Sequence, residues 1–220
     1  MRYVTKIEIL LIVFTNCEWY LCVADIRLSG DEAALEQITQ LIESFFRESS
    51  EQEHKLYNEA ALQHELGFWL RVHLPANFRI QFERPAFDLH VPTRKLIKKE
   101  IDIVVSIPES NTHYAIELKC PRNGMYPEQM FKACEDLQFL EELKHSGFAG
   151  GIFVIHVVDA PFYQGAARGG IYDYFRDGKS ITGEIHKPTG SKDKKVSLKG
   201  SYQVNWQQCR EYGRYWMQVI

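Results

Sequence analysis

Residues 98–119 read KKEIDIVVSIPESNTHYAIELK, which is two apolar runs joined by a short polar turn. Apolar runs on either side of such a turn predict a β-hairpin. Asp102 lies inside the first run, and Glu117 and Lys119 close the second. Because side chains alternate along a strand, Glu117 and Lys119 share a face while Leu118 points into the core. The hairpin therefore brings one aspartate, one glutamate and one lysine to the same edge of a sheet.

These three side chains are of the kind that can hold a divalent metal ion and activate a water molecule. Two carboxylates on adjacent strands repel each other unless a cation lies close to both. A metal ion held there screens the charge of a phosphodiester and lowers the pKa of a bound water. The alternative is a buried Asp102 that forms an ion pair, with Lys119 as its partner. Phosphodiester hydrolysis is the chemistry that the trio predicts.

The segments around the hairpin alternate between helical and strand patterns. Apolar residues recur with the spacing of helices in three segments and with the patterns of strands in four: helices at 31–47, 55–72 and 127–145, strands at 78–88, 150–158, 181–186 and 196–204. Residues 206–220 are aromatic-rich and carry no firm assignment. This order predicts an α/β sandwich in which a central mixed β-sheet is flanked by helices.

Length and composition bound the organisation of the chain. At 220 residues it has the size of one domain, predicted at 31–220, with residues 1–30 as an N-terminal extension of unknown role. The apolar run Ile7–Phe14 is far shorter than the roughly 20 residues of a membrane span, so no membrane segment is expected. The five cysteines include no CxxC pair, which favours reduced thiols in a cytoplasmic protein. A net charge of −3 neither indicates nor excludes a nucleic-acid partner.

Asp102, Glu117 and Lys119, together with the order of the elements, resemble the PD-(D/E)XK nuclease superfamily over about residues 55–160. The resemblance implies a restriction-endonuclease-like fold with its motif core in that range. After this core, the strands predicted at 181–186 and 196–204 form a late C-terminal β-hairpin with a basic turn. It also implies that Asp102 and Glu117 bind Mg²⁺ or Mn²⁺, with the Leu118 carbonyl as a further ligand. Lys119 is then the catalytic lysine. The chain departs from the family pattern because an isoleucine, not a proline, precedes Asp102.

Many members of this superfamily carry a further glutamate on the helix before the strands, and two candidates exist here. The segment from Glu59 to Gln63 resembles the helix of the VRR-NUC branch, where glutamate precedes glutamine by one turn. This favours Glu59 as a fourth catalytic residue, with Glu65 as the alternative. Six residues advance a helix by about 600°, so Glu59 and Glu65 do not face the same site.

Several lysines and one glutamine are candidates for contact with nucleic acid. Superfamily members often use Gln or Lys on the helix after the motif, which implies such roles for Gln129 and Lys132. Lys98 and Lys99 form a further candidate pair, and the basic turn of the late hairpin is another; a solvated surface is the alternative for each. The candidates in that turn are Lys192, Lys194 and Lys195.

These features predict a metal-dependent nuclease that hydrolyses phosphodiester bonds in DNA, in restriction, repair or mobile-element conflict. RNA is not excluded as the substrate, and a homodimer or a partner protein is left open. A catalytically inactive nucleic-acid-binding domain of the same fold is the alternative. A third interpretation is an α/β domain in which the trio is coincidental. Metal binding separates the third from the first two, and turnover separates the first from the second.

Overall fold

A computed structural model describes residues 6–15, 18–27, 30–48, 56–91, 96–122, 124–166, 169–190, 193–210 and 212–220. Within these stretches the chain forms strands and helices in the following order: β1 (Lys6–Thr15), β2 (Glu18–Arg27), α1 (Gly30–Glu48), α2 (Glu59–His73), β3 (Arg79–Pro85), β4 (Glu100–Ile107), β5 (Thr112–Lys119), α3 (Tyr126–His145), β6 (Gly150–Val157), α4 (Ala160–Tyr163), α5 (Ile171–Arg176), β7 (Ile181–His186), β8 (Lys195–Tyr202), β9 (Gln207–Gln208) and β10 (Arg214–Val219).

Six strands form the central sheet, in the spatial order β3–β4–β5–β6–β10–β9. Strand β4 is antiparallel to both β3 and β5, β5 and β6 run parallel, and β10 is antiparallel to both β6 and β9. A parallel pair needs a crossover connection, and α3 supplies it between β5 and β6. The fold is therefore α/β with a mixed central sheet, as the sequence predicts.

Two apolar clusters lie on opposite faces of this sheet. Ile116 and Leu118 of β5 pack in the cluster that contains α1 and α2, whereas Ala115 packs with α3 and the β7–β8 hairpin. Glu117 and Lys119 have the same parity along the strand as Ala115, so they lie on the α3 side of the sheet. Leu118 is buried in the core on the other side, as the alternation of side chains predicts.

Two element boundaries differ from the sequence prediction by three residues or more, and one segment left unassigned forms a strand. The strand predicted at 78–88 ends at Pro85, because the chain then turns into a short 3-10 helix over Ala86–Leu89. The helix predicted from residue 55 begins at Glu59. The C-terminal segment supplies β10, which lies inside the central sheet between β6 and β9.

The residues before α1 form a separate antiparallel hairpin of β1 and β2. Lys6 lies opposite Arg27 and Thr15 lies opposite Glu18, and the pair forms a sheet of its own. Among the residues that the structure describes, no helix is long and apolar enough to cross a lipid bilayer.

The predicted late hairpin is confirmed as β7–β8, and its second strand lies along α3. Glu141 of α3 accepts the Lys199 and Gly200 N–H groups at 2.9 and 2.7 Å. Gln138 Oε1 accepts the Ser197 N–H at 2.8 Å. These bonds satisfy backbone donors of a strand that would otherwise be an open edge, and they cover the outer face of α3.

Asn58 caps the helix that carries Glu59. Its Oδ1 accepts the Ala61 N–H at 2.8 Å, which satisfies one of the unpaired donors of the first helical turn. Replacing Asn58 by alanine is therefore expected to lower the free energy of unfolding by about 1 kcal/mol, as measured by urea denaturation. Asn58→Ser keeps a capping oxygen and should stay within about 0.5 kcal/mol of wild type. An equal loss in both variants would contradict the capping role.

Candidate active site

The candidate site lies where β4 and β5 separate. Their ladder ends at the pair Ile103–Ile116, one residue before Asp102 and Glu117 would pair. In the gap, side chains replace backbone partners: Glu117 Oε1 accepts the Asp102 N–H at 3.2 Å, and Asp102 Oδ2 accepts the Leu118 N–H at 2.7 Å. Each carboxylate thus accepts a backbone N–H of the opposite strand, and these two bonds hold the carboxylates close together.

On its other side, Asp102 faces a break in the ladder between β3 and β4. The register puts Glu83 opposite Asp102, but the pairing skips these two residues, and Glu83 has a left-handed φ of 47°. Gln63 of α2 donates its amide to the Asp102 carbonyl at 2.8 Å and to Glu83 Oε1 at 2.6 Å. Left-handed backbone is strained for a residue other than glycine, and such strain concentrates at functional sites. Gln63, which ends the predicted helix motif that begins at Glu59, secures the backbone of Asp102 from α2.

Burial and crowding disfavour the charged forms of both carboxyl groups. Glu117 is 0% exposed, and its pKa is raised well above the ordinary value by burial first and then by the carboxylates of Asp102 and Asp136. Burial also raises the pKa of Asp102 to about 6, although Lys98 and Lys119 act in the opposite direction. Both groups therefore take up a proton more readily than ordinary carboxylates do.

Two lysines and a third acid, Asp136 of α3, complete the cluster. Lys98 Nζ donates to Glu117 Oε2, and it also donates to Asp136 Oδ1 at 2.8 Å. Lys119 Nζ donates to the Leu118 carbonyl at 2.8 Å and lies 3.1 Å from Asp136 Oδ2, although not in a hydrogen-bonding direction. Burial opposes the charge on each lysine, but the carboxylates outweigh it and raise both pKa values. Both side chains therefore stay ammonium ions.

Asp136 was not singled out from the sequence, although α3 contains a signal for it. It lies one turn after Ala133 and one turn before Leu140, both of which are 0% exposed. An unpaired carboxylate at such a position costs on the order of several kcal/mol, so a core-facing aspartate predicts a cationic partner. The sequence does not indicate that the partners come from the start of β4 and the end of β5.

The structure brings Glu59, rather than Glu65, to this cluster. Glu59 Oε1 lies 3.3 Å from Lys119 Nζ, and Glu59 Oε2 accepts the Cys120 N–H at 3.2 Å. Glu65 instead contacts its neighbour His64, with 3.0 Å between His64 Nδ1 and Glu65 Oε1. The geometry thus favours the helix face that the sequence favoured, and the catalytic role of Glu59 stays a prediction.

The residues predicted to contact nucleic acid on β4 and α3 have different surroundings. Lys98 belongs to the buried cluster, whereas the neighbouring Lys99 is exposed. On α3, Lys132 is exposed and Gln129 is half-buried near the start of the helix. Of these four candidates, Lys99 and Lys132 present an exposed side chain to a ligand.

The basic turn of β7–β8 is partly neutralised by acids of the same chain. Lys194 Nζ lies 2.5 Å from Glu135 Oε1, and Lys195 Nζ lies 2.5 Å from Glu184 Oε2. Lys192 lies outside the described residues. A role for Lys194 or Lys195 in binding phosphate would require these ion pairs to open.

The oxygen atoms around Asp102 and Glu117 fit a hard divalent cation. Within the described part of the chain, no group of three or more His, Cys, Asp or Glu side chains has the arrangement of a metal site. The set implied by the sequence is smaller, two carboxylates and the Leu118 carbonyl, and all three are oxygen donors of the kind that Mg²⁺ binds. Two crowded carboxyl groups with raised pKa values also gain from a nearby cation.

No protein-family model, curated protein or solved structure matches this chain.

Proposed function

We propose that this chain is a cytoplasmic, metal-dependent nuclease of the restriction-endonuclease-like fold that hydrolyses phosphodiester bonds in DNA. The proposal is supported by the convergence of Asp102, Glu117, Lys119 and Glu59 where β4 and β5 separate. A buried cluster that draws acids and lysines from two strands and a helix, with shifted pKa values among them, is typical of a catalytic site.

Each residue has a distinct role in this proposal. Asp102, Glu117 and the Leu118 carbonyl would hold Mg²⁺ or Mn²⁺, which would screen the phosphate charge, lower the pKa of a bound water and stabilise the leaving oxygen. A lysine with a raised pKa is a poor general base, so Lys119 acts as a cation that orients the attacking water and stabilises the charge developing on phosphate. Glu59 holds Lys119 in place from α2.

The direct test is a cleavage assay on single- and double-stranded DNA and RNA with Mg²⁺, Mn²⁺ or EDTA, run beside Asp102→Asn. We expect cleavage of DNA that requires the metal and disappears in the variant. Binding without cleavage at saturating metal would instead identify an inactive nucleic-acid-binding domain. Absence of metal binding, nucleic-acid binding and cleavage would identify an α/β domain whose ion cluster is structural.

Glu59→Gln is expected to lower the cleavage rate at least about tenfold, because Lys119 then loses a charged partner that fixes its position. Glu65→Gln makes the same chemical change on the same helix, away from the cluster, and should leave the rate within about twofold of wild type. Single-turnover rates at saturating metal measure both variants. If Glu65→Gln is the slower one, the other face of α2 serves the site.

A further inference from the structure

Lys98 donates to Glu117 Oε2, the carboxylate oxygen that accepts no backbone hydrogen bond. Glu117 Oε1 accepts the Asp102 N–H at 3.2 Å, whereas Oε2 accepts from Lys98 Nζ. A metal ion bound through Oε2 competes with that ammonium for the same lone pairs. If the metal ion takes the Oε2 lone pair that accepts from Lys98, the Lys98 side chain has to move.

The surroundings of Lys98 allow its side chain to move while its backbone stays in place. On one side the Ile97 N–H donates to Glu142 Oε2 at 2.7 Å, and on the other the Lys99 carbonyl accepts the Ala86 N–H at 2.8 Å. The Lys98 side chain is 29% exposed, in contrast to the fully buried Glu117. The Lys98 side chain is thus partly exposed and is carried on a fixed stretch of backbone, while its ammonium contacts two buried carboxylates.

The Lys98 ammonium already makes a second set of contacts, and these can hold it when it leaves Glu117. Lys98 Nζ is 2.8 Å from Asp136 Oδ1 and 5.5 Å from the centre of the Phe139 ring, both on α3. An ammonium over an aromatic face is attracted to it. Asp136 is 2% exposed, so it needs a cationic partner whether or not a metal ion is bound.

We propose that Lys98 is the resident cation of the site: it neutralises Glu117 in the metal-free protein, and when a divalent metal ion binds Glu117 it gives up that contact and keeps its contact with Asp136. This inference rests on the proposed function, because it takes Asp102 and Glu117 as the metal ligands. Lys98 then disfavours metal binding, and Asp136 keeps its ammonium at the site. Lys119 does not have to move in this way, because it contacts Glu59, the Leu118 carbonyl and Asp136 rather than Glu117.

The test is calorimetric titration of the full chain with Mn²⁺ alone, without nucleic acid, on wild type and Lys98→Met. We expect Lys98→Met to bind Mn²⁺ at least about tenfold more tightly, because no charge-assisted hydrogen bond has to be broken. Lys119→Met removes the same charge from the same cluster without freeing Glu117 Oε2, and should therefore tighten Mn²⁺ binding less than Lys98→Met does. Lys99→Met is the exposed control next in sequence and should match wild type.

Lys98→Gln covers the case in which Lys98→Met does not fold, since its neutral amide can still donate to Glu117 and Asp136. It should also bind Mn²⁺ more tightly than wild type. If wild type and both Lys98 variants bind no Mn²⁺, the proposed metal site itself is wrong. If wild type binds Mn²⁺ and the Lys98 variants bind no more tightly than wild type or Lys119→Met, displacement is refuted and the metal site stands. A Mn²⁺-bound structure in which Lys98 Nζ still contacts Glu117 Oε2 would also refute it.

Discussion

Replacing Asp102 by asparagine is expected to reduce cleavage at least about 10³-fold, because a metal ion contributes several kcal/mol to such a reaction and about 1.4 kcal/mol corresponds to a factor of ten. An asparagine oxygen can still accept the Leu118 N–H that bonds Asp102 Oδ2 at 2.7 Å, so the local structure is expected to survive. The property that is lost is the negative charge. Single-turnover rates at saturating Mg²⁺ measure the effect, and Asp88→Asn, at an exposed position, is the matched control.

The same substitution is expected to affect the stability of the metal-free protein in a pH-dependent way. Burial raises the pKa of Asp102 to about 6, so the folded protein binds this proton more tightly than the unfolded chain, where the pKa is about 3.9. The free energy of unfolding that this group contributes therefore falls as the pH rises from about 4 to about 6. Asparagine has no such proton. The Tm of Asp102→Asn relative to wild type is thus expected to increase between about pH 4 and about pH 8.

A bound metal ion is expected to raise the Tm of wild type relative to that of Asp102→Asn. Mg²⁺ or Mn²⁺ should raise the Tm of wild type and leave that of Asp102→Asn unchanged, because a ligand stabilises only the state that binds it. Differential scanning fluorimetry across a metal series at fixed pH measures both proteins. An equal metal-induced shift would remove Asp102 from the metal ligands. A difference in Tm that does not vary with pH would show that Asp102 is not the group that titrates.

The second large effect is expected at Lys119, where methionine keeps much of the stem and deletes the charge. Cleavage should fall about 10²-fold or more, the scale of a lost electrostatic group, while metal still binds. Lys119 is 8% exposed and lies 3.1 Å from the buried Asp136, so stability is also expected to fall. Because Asp136 keeps Lys98 at 2.8 Å, the loss should be about 1–3 kcal/mol rather than the roughly 3–5 kcal/mol of a fully broken buried pair.

The cleavage rate and the Tm of Lys119→Met have to be measured on the same sample, so that a catalytic loss can be separated from unfolding. Lys144→Met makes the same chemical change at an exposed position of α3 and should alter neither quantity. A Lys119→Met protein that is folded and cleaves at the wild-type rate would exclude a catalytic role for Lys119. If unfolding alone caused the slow cleavage, the rate would recover at a temperature well below the Tm of the variant.

The β4–β5 hairpin and its candidate catalytic residues could be predicted from the sequence, because the patterns that indicate them are local. Alternation along a strand separates Leu118 from Glu117 and Lys119, and a short turn makes the two strands neighbours. Helical periodicity likewise sets Glu59 apart from Glu65. Each of these inferences depends on residues only a few positions apart.

The remaining parts of the site depend on contacts between distant residues. Asp136 is 38 residues from Lys98, and no local pattern connects them. The position of β10 beside β6 was not predictable either, because a strand pattern does not say which edge of a sheet the strand will join. At Asp102 the pairing is interrupted on both sides, and regular patterns predict only regular pairing.

The ion pairs of the β7–β8 hairpin determine how binding of nucleic acid would respond to salt. A lysine that neutralises a phosphate normally releases condensed counterions, and the slope of affinity against ionic strength counts these lysines. Lys187 and Lys194 lie 2.9 and 2.5 Å from Glu128 and Glu135, so acids of the protein already balance their charge. Contact between such a lysine and a phosphate leaves a glutamate in need of a new cation, which offsets the entropy gained. The lysine content of the hairpin therefore overstates the affinity that it can contribute at low ionic strength.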